Sequence, residues 1–335
     1  MAYEPLFTIT PPILKLLEEI ASLREKIMHA TLQVPWIPAL QRDARVRNSH
    51  SSTAIEGNPL TLPEVRLLEA GKEISSPNER PKKEILNYFA GLRYVEKHAG
   101  KKVITHEDLF ELHSLISSGV MDQGESGRYR TIQVRVGNHM PPPAFQVSGL
   151  MRELLDWWNK NAMDWPPVLT SGILHYRFEA IHPFGDGNGR TGRMLALWEL
   201  YRRGFDTHHI FSVDEVFWEK RPLYYRNLEL VRRNGEDLTC FLEYNAGAVH
   251  LTLERVWERV QRLKGEKSGE RVVLSPRQEK VLSLLRDHKS LSPKEIWGAL
   301  GVSRQGAVKL LGPLMKAGLI ERIGTRKTGK YILKD

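Results

Sequence analysis

The chain has 335 residues, 41% hydrophobic and 27% charged, which suits a soluble protein of two domains or more, and its one cysteine, Cys240, excludes an internal disulfide or cysteine-built metal site. Residues 1–12 lack a basic stretch followed by an apolar one, and no apolar run reaches membrane-spanning length, so a cytoplasmic protein with no membrane partner is expected. The last 65 residues hold 14 basic and 5 acidic groups, the whole of the net charge of +9, which suggests either nucleic-acid contact at that end or a merely basic soluble domain.

In chain order, Ile13, Leu16, Leu17, Ile20, Leu23 and Ile27 predict an amphipathic helix from Pro11 to about His29. Val34-Pro35-Trp36 breaks it, and a second helix is expected from about Ala39. Gly57 and Asn58 are residues that stop helices. Glu56 then sits at a helix C-terminus, where the dipole disfavours a carboxylate. It is either a solvated surface group or one that wants a cationic partner. Thr61 caps the next start, through Leu62-Pro63-Glu64. Helices are predicted from about Pro81 to His98 and from Thr105 through Ile116, with His113 packed or at the surface, and Cys240 reads as a small buried apolar residue. Gly119 to Gly127 is a loop by composition. From Tyr129 to Met140, Ile132, Val134 and Val136 alternate with polar neighbours, and Gly137-Asn138 is a hairpin turn signal. Such a hairpin is either a plain connection or an edge that pairs with an extended peptide.

Helices are next expected at about Val147–Asn161 and Pro167–Ile181, with His175 and Tyr176 in the core. The second delivers His182-Pro183-Phe184-Gly185-Asp186-Gly187-Asn188-Gly189-Arg190-Thr191-Gly192-Arg193. Apolar residues at helical spacing follow, so this is a glycine-rich loop running into a helix N-terminus, whose free N–H groups and dipole attract anions. Gly187 and Gly189 can let backbone approach a ligand closely. Asp186 offers a hard oxygen suited to Mg²⁺. Arg190 and Arg193 lie three apart, share a helix face and can fork onto phosphate oxygens. His182 titrates near neutrality and can accept a proton. Beyond a break at Gly204-Phe205, one helix is expected through Phe217, Leu223, Leu228 and Val231, and a long one from Asp237 to Lys264. Tyr224 and Tyr225, being adjacent, point to different faces.

The unbroken run HPFGDGNGR, followed by Thr191-Gly192-Arg193, resembles the signature of the Fic (filamentation induced by cAMP) family, most of whose members transfer AMP from ATP to protein hydroxyls. The resemblance covers roughly the first 265 residues. It implies a mainly α fold: a Fic-type helical core with a β-hairpin flap. It implies a protein adenylyltransferase using ATP and Mg²⁺, with His182 as base, Asp186 as metal ligand, and Gly187, Asn188, Gly189, Arg190 and Arg193 on the phosphates. Val134, Arg135, Val136 and Gly137 of the flap, and Tyr224 and Tyr225 beside the adenine, would complete the nucleotide site. Gly185 fills a position taken as variable in the family. Ser52-x-x-x-Glu56-Gly57 resembles the inhibitory motif [S/T]-x-x-x-E-[G/N], whose glutamate pairs with the second signature arginine, here Arg193, and so denies it to the γ-phosphate. Glu56 could also orient water for removal of AMP. The partner implied is a protein bearing a Ser, Thr or Tyr hydroxyl, and a homodimer is compatible with the resemblance. The alternatives are a DNA-binding regulator with a nucleotide-sensing Fic core, and transfer of another phosphate-containing group.

Gly265 to Glu270 reads as a linker. Helices are then expected from Pro276 to Asp287, from Ser292-Pro293 to Leu300-Gly301, and from Arg304 to Ala317 behind Ser303, with strand-like runs at Leu319–Ile323 and Lys330–Leu333. This order resembles a winged helix-turn-helix. Arg304, Gln305 and Lys309 would face a DNA major groove, and Arg326, Lys327 and Lys330 would meet phosphates, unless the domain serves protein contact or dimerisation. The expected organisation is 1–59 inhibitory helical segment, 60–264 Fic core, 265–274 linker and 275–335 winged helix-turn-helix.

Overall fold

The computed structural model describes residues 2–30, 36–74, 78–137, 139–206, 208–266, 275–316, 318–324 and 329–334. The chain divides into two compact units: residues 1–27 with 41–257, and residues 28–40 with 258–335. Among the described residues it is mainly helical, with fourteen α-helices and one two-stranded antiparallel pair.

In the larger unit the sequence dictates a helical hairpin at the centre. Helix α7 (Pro167–Ile181), largely apolar or small, and helix α8 (Asn188–Arg202), whose polar residues Asn188, Arg190, Arg193 and Glu199 are themselves buried, are covered on nearly every face. They make the most extensive helix–helix contact of the chain. Trp198, Phe178, Phe184, Met194 and Leu195 lie in the resulting core. Gly172 lets α7 approach the long helix α11 (Thr239–Glu266): a Cβ there would come within 2.9 Å of Leu242 Cδ2 and 3.0 Å of Asn245 Nδ2. Burial all round is what places the end of α7, and the loop after it, at fixed positions.

Four further helices of this unit frame the loop: α2 (Trp36–Ile55), α4 (Glu79–Lys97), α5 (His106–Ser117) and α10 (Arg221–Arg233). Thr105 starts α5 with a capping box to Asp108, so that its register is set by the sequence. The helix expected through Phe217 and Val231 is two, α9 (Val213–Glu219) and α10, because Pro222 has no N–H to continue a helix and begins a new one instead. Cys240 is exposed rather than buried; it points outward on the first turn of α11 while Phe241 and Leu242 turn in. The strand pair expected over Tyr129–Met140 shrinks to one antiparallel bridge, Val136 with His139, each N–H donating to the other's carbonyl at 3.0 and 2.8 Å. With no sheet to join, this segment satisfies its carbonyls through side chains: Arg130 donates to Ile132 and Pro142, Gln133 to Pro141, and Arg135 to Gly137.

The smaller unit holds α12 (Pro276–His288), α13 (Pro293–Leu300) and α14 (Arg304–Lys316), then β1 (Ile320–Ile323) antiparallel to β2 (Lys330–Leu333), with Ile320 opposite Leu333. Ser275 and Ser292 open α12 and α13 with capping boxes, and Gly301 closes α13 in the left-handed region. Leu291 bridges Tyr331 on the edge of β2 away from β1. The core is Val281, Leu282, Leu285, Ile296, Leu311, Leu314 and Tyr331 with their neighbours. Gln305 and Lys309 are exposed on α14. Arg326 and Lys327, and the break at Val34-Pro35, lie outside the described residues, as does most of the expected linker.

Gly172→Ala tests the close helix approach. It should lower stability by about 1–3 kcal/mol through overpacking, seen as a fall in Tm of several degrees, without loss of helical circular dichroism.

Candidate active site

Helix α7 ends at His182, whose N–H donates to Phe178 O at 2.9 Å and whose φ is 51°, a left-handed stop taken here by a residue with a Cβ. The cost is on the order of 1 kcal/mol, and such strain is tolerated where the surroundings hold the residue. The holder is Arg130, 4% exposed: its Nε donates to His182 O at 2.8 Å, and its backbone N–H to Pro183 O at 2.9 Å. Burial, then the Arg130 charge, push the His182 imidazole down to about 4, so it is neutral at pH 7 and able to take a proton.

The loop between α7 and α8 is tightened from within. Asn188 accepts from Phe184 N–H and donates to Phe184 O, both at 2.9 Å, so its side chain staples the loop and only its backbone N–H can face a ligand. Gly187 caps α8 at φ 76°. Gly185 is required by its neighbours rather than free to vary in this chain: a Cβ would stand 2.6 Å from Gln123 O. Asp186 accepts from Gly187 N–H at 2.5 Å and from Asp122 N–H at 3.2 Å, with Arg190 Nη2 3.6 Å away. Arg190 itself is 6% exposed along its side chain, and Glu84 is 4.0 Å from its Nη1. Its Nε and Nη1 are buried and find no hydrogen-bond partner among the described residues. A buried guanidinium with free donors beside a helix N-terminus is an anion seat.

One turn on, Arg193 is 1% exposed along its side chain. Its Nε donates to Ser52 Oγ at 2.8 Å, and its Nη2 to Ser52 O at 2.9 Å and Glu56 Oε1 at 2.7 Å. Burial works against the charge, but Glu56, Tyr224, Asp214 and Tyr88 outweigh it and hold the guanidinium protonated. Glu56 follows the end of α2 in a turn made by Gly57 at φ 98°. Asn58 fixes that turn, accepting from Leu60 N–H at 3.1 Å and donating to Pro81 O at 3.0 Å and Glu84 Oε2 at 2.8 Å. The Glu56 carboxylate lies so close to the start of α8 that a side chain at Gly189 would overlap it.

A cavity of about 580 Å³ opens here, lined among others by Glu56, Val136, Gly137, Glu179, His182, Gly189, Arg193, Tyr224, Tyr225 and Arg232. Of the expected flap residues, Val136 and Gly137 form its wall, whereas Val134 is buried and the Arg135 side chain folds onto Gly137 O. Tyr224 contributes ring surface, but its hydroxyl is bonded to His175 Nε2 at 2.8 Å in the core; Tyr225 presents the exposed face. Asp186, Gly187, Asn188 and Arg190 are outside this lining, on the side of the loop facing α4 and Asp122. Arg130, Glu84 and Glu179 escaped the sequence reading. Glu179 Oε2 lies 3.8 Å from His182 Nδ1, and burial pushes its carboxyl up to about 7. Its place three residues before His182 on α7 was the available signal; Arg130 and Glu84 had none.

A crystal structure of a Fic family protein from Desulfovibrio desulfuricans G20 superposes at TM-score 0.67 with 31% identity, covering 99% of this chain and 98% of that one. The chain belongs to the Fic family. The profile of the Fic/DOC family matches residues 103–200, the stretch containing the loop and α8. The Fic-1 structure (residues 134–508) from C. elegans covers 75% of this chain and 73% of that one, at TM-score 0.66 and 27% identity. Protein adenylyltransferase Fic of Aedes aegypti is 32% identical over 218 residues, 64% of this chain and 42% of that protein. The chain thus spans about half the length of the curated relatives it matches. No helix among the described residues is long and apolar enough to cross a membrane.

The imidazole can be checked directly. The His182 C2–H resonance should titrate with a midpoint near 4, and Arg130→Gln, which removes the adjacent positive charge, should move that midpoint upward.

Proposed function

We propose that this Fic protein is a protein adenylyltransferase that moves AMP from ATP to a Ser, Thr or Tyr hydroxyl of another protein. The observation that carries the reading is the pair of arginines on one face of α8: Arg190 buried with free donors, and Arg193 held by Ser52 and closed off by Glu56. Names of curated relatives support it, since proteins called protein adenylyltransferase Fic and fic-1 match 64% and 72% of this chain. Phosphates would lie on the N–H groups of Gly187 to Gly189, with Arg190 donating to their oxygens. Arg193 would take the γ-phosphate once Glu56 leaves, setting the α-phosphorus in line for attack. His182 would remove the proton from the acceptor hydroxyl, the hydroxyl oxygen would bond to the α-phosphorus, and pyrophosphate would depart.

The residues present also fit Mg²⁺. Asp186 is a partly exposed carboxylate beside the anion seat, and no cluster of three or more His, Cys, Asp or Glu surrounds it among the described residues. That suits an ion that takes one or two carboxylates and completes its shell with phosphate oxygens and water. When bound, Mg²⁺ would offset phosphate charge. Glu56 keeps the resting protein low in this reading, because its carboxylate stands on Arg193 where the γ-phosphate would be.

A second role is proposed for the smaller unit: a winged helix-turn-helix that contacts DNA. The exposed Gln305 and Lys309 on α14, and the concentration of the chain's net charge of +9 in its last 65 residues, favour it. Anisotropy titrations with duplex DNA should then show affinity falling steeply with salt, and Lys309→Ala should flatten that slope by about one unit.

The transfer reading is tested with α-labelled ATP and Mg²⁺ on wild type, Glu56→Gly and Glu56→Gly/His182→Ala. Strong labelling of protein in Glu56→Gly alone is expected, its kcat/KM flat from pH 6 to 8 and lost toward pH 4. No label in any variant, with ATP still bound, would overturn AMP transfer and favour another transferred group or a nucleotide sensor.

A further inference from the structure

His113 is fully buried on α5, away from the cavity, and has no part in the chemistry above. Its ring stacks on Phe184 of the signature loop, centroids 3.7 Å apart and planes 6° from parallel. Gly127 N–H donates to Nδ1 at 2.9 Å, and Nε2 lies 2.9 Å from Asp186 O. A backbone N–H can only donate, so Nδ1 must carry a lone pair. The ring is therefore neutral with its proton on Nε2, which donates to the Asp186 carbonyl. That carbonyl shares its peptide plane with Gly187 N–H, which in turn bonds Asp186 Oδ1, and Gly187 O accepts from Thr191 N–H and Thr191 Oγ1 at 3.0 and 2.9 Å. A second backbone donor to the Asp186 carboxylate, Asp122 N–H, comes from the same loop as Gly127. One imidazole thus joins α5, the loop 119–128 and the signature loop, and both loops converge on Asp186.

We propose that His113 is a positioning residue for the Asp186–Gly187 peptide, aiming the Asp186 carboxylate and the first α8 N–H groups at a nucleotide phosphate and its divalent cation. The assignment rests on the nucleotide reading above, but its first readout does not. His113→Phe keeps a stacking ring and loses both hydrogen bonds. His113→Gln keeps a donor and an acceptor on one side chain. Phe184→Leu loses the stack and keeps both hydrogen bonds. Each is made in the Glu56→Gly background, with backbone amide exchange of Gly187 to Gly189 measured without ligand, and ATP binding measured by calorimetry with and without Mg²⁺.

The expected result for His113→Phe is at least tenfold faster exchange at those amides and at least tenfold weaker ATP binding with Mg²⁺. ATP binding without Mg²⁺ should change less than threefold, and His113→Gln should recover most of both losses. Phe184→Leu should keep the Mg²⁺ increment even where its Tm falls. Unchanged exchange in His113→Phe would overturn the proposal. So would equal losses of ATP affinity with and without Mg²⁺, which would mark His113 as a packing residue. If Glu56→Gly alone binds no ATP, the nucleotide reading falls, while the exchange comparison still decides whether His113 holds the loop.

Discussion

The site depends on how one buried cation is divided between two partners. Arg193 is held on one edge by the Ser52 hydroxyl and carbonyl, and Glu56 adds a single bond from the end of the same helix. Glu56 is the anion that bonds this buried guanidinium directly, with Asp214 acting on it from further off, so Arg193 resists losing that carboxylate to water alone. In the proposed reading a γ-phosphate would change that balance, because it would bring more charge and more acceptors to the same spot. The two Ser52 contacts need not break in the exchange. The arginine stays as an anchor, and the carboxylate, 36% exposed along its side chain at the helix end, is the part free to leave.

The same logic explains why the surroundings of Glu56 are so heavily tied. A carboxylate at a helix C-terminus is badly placed for its own helix, but here it faces the N-terminus of α8, where the dipole favours it. The turn through Gly57 and Asn58 makes that crossing between helices. Asn58 bonds Glu84, and Glu84 lies against both Arg190 and Arg80, so the segment that contacts Arg193 is fastened to the neighbourhood of the other signature arginine. A short polar chain therefore runs from the Glu56 turn through Glu84 to Arg190, and connects the surroundings of the two signature arginines.

Much of this was legible in the chain. The run from His182 to Arg193 declared a loop entering a helix, and Ser52 with Glu56 declared a motif in search of an arginine. Helix starts at Thr61, Thr105 and Ser292 carry their caps in the sequence, and the structure uses them. What was not legible has a common cause: it depends on partners far away in the chain. Arg130 looks like any loop arginine until it meets the carbonyls of Ile181, His182 and Pro142. Nothing local says that the Asn188 amide is engaged by the backbone of Phe184. The alternation at Ile132, Val134 and Val136 is real, but alternation alone cannot supply a neighbouring strand, so only the Val136–His139 bridge forms.

That short hairpin shows how little regular structure the site needs. Arg130 pins the base of the segment to the end of α7, the same place that fixes His182. Gln133 pins its far arm through Pro141. Val136 and Gly137 then reach the cavity wall from a segment whose geometry is set by side chains rather than by a sheet. Its remaining backbone donors and acceptors are not spent on neighbouring strands. Arg130 thereby fixes this segment and His182 to each other, through side-chain bonds to backbone carbonyls and not through a ladder.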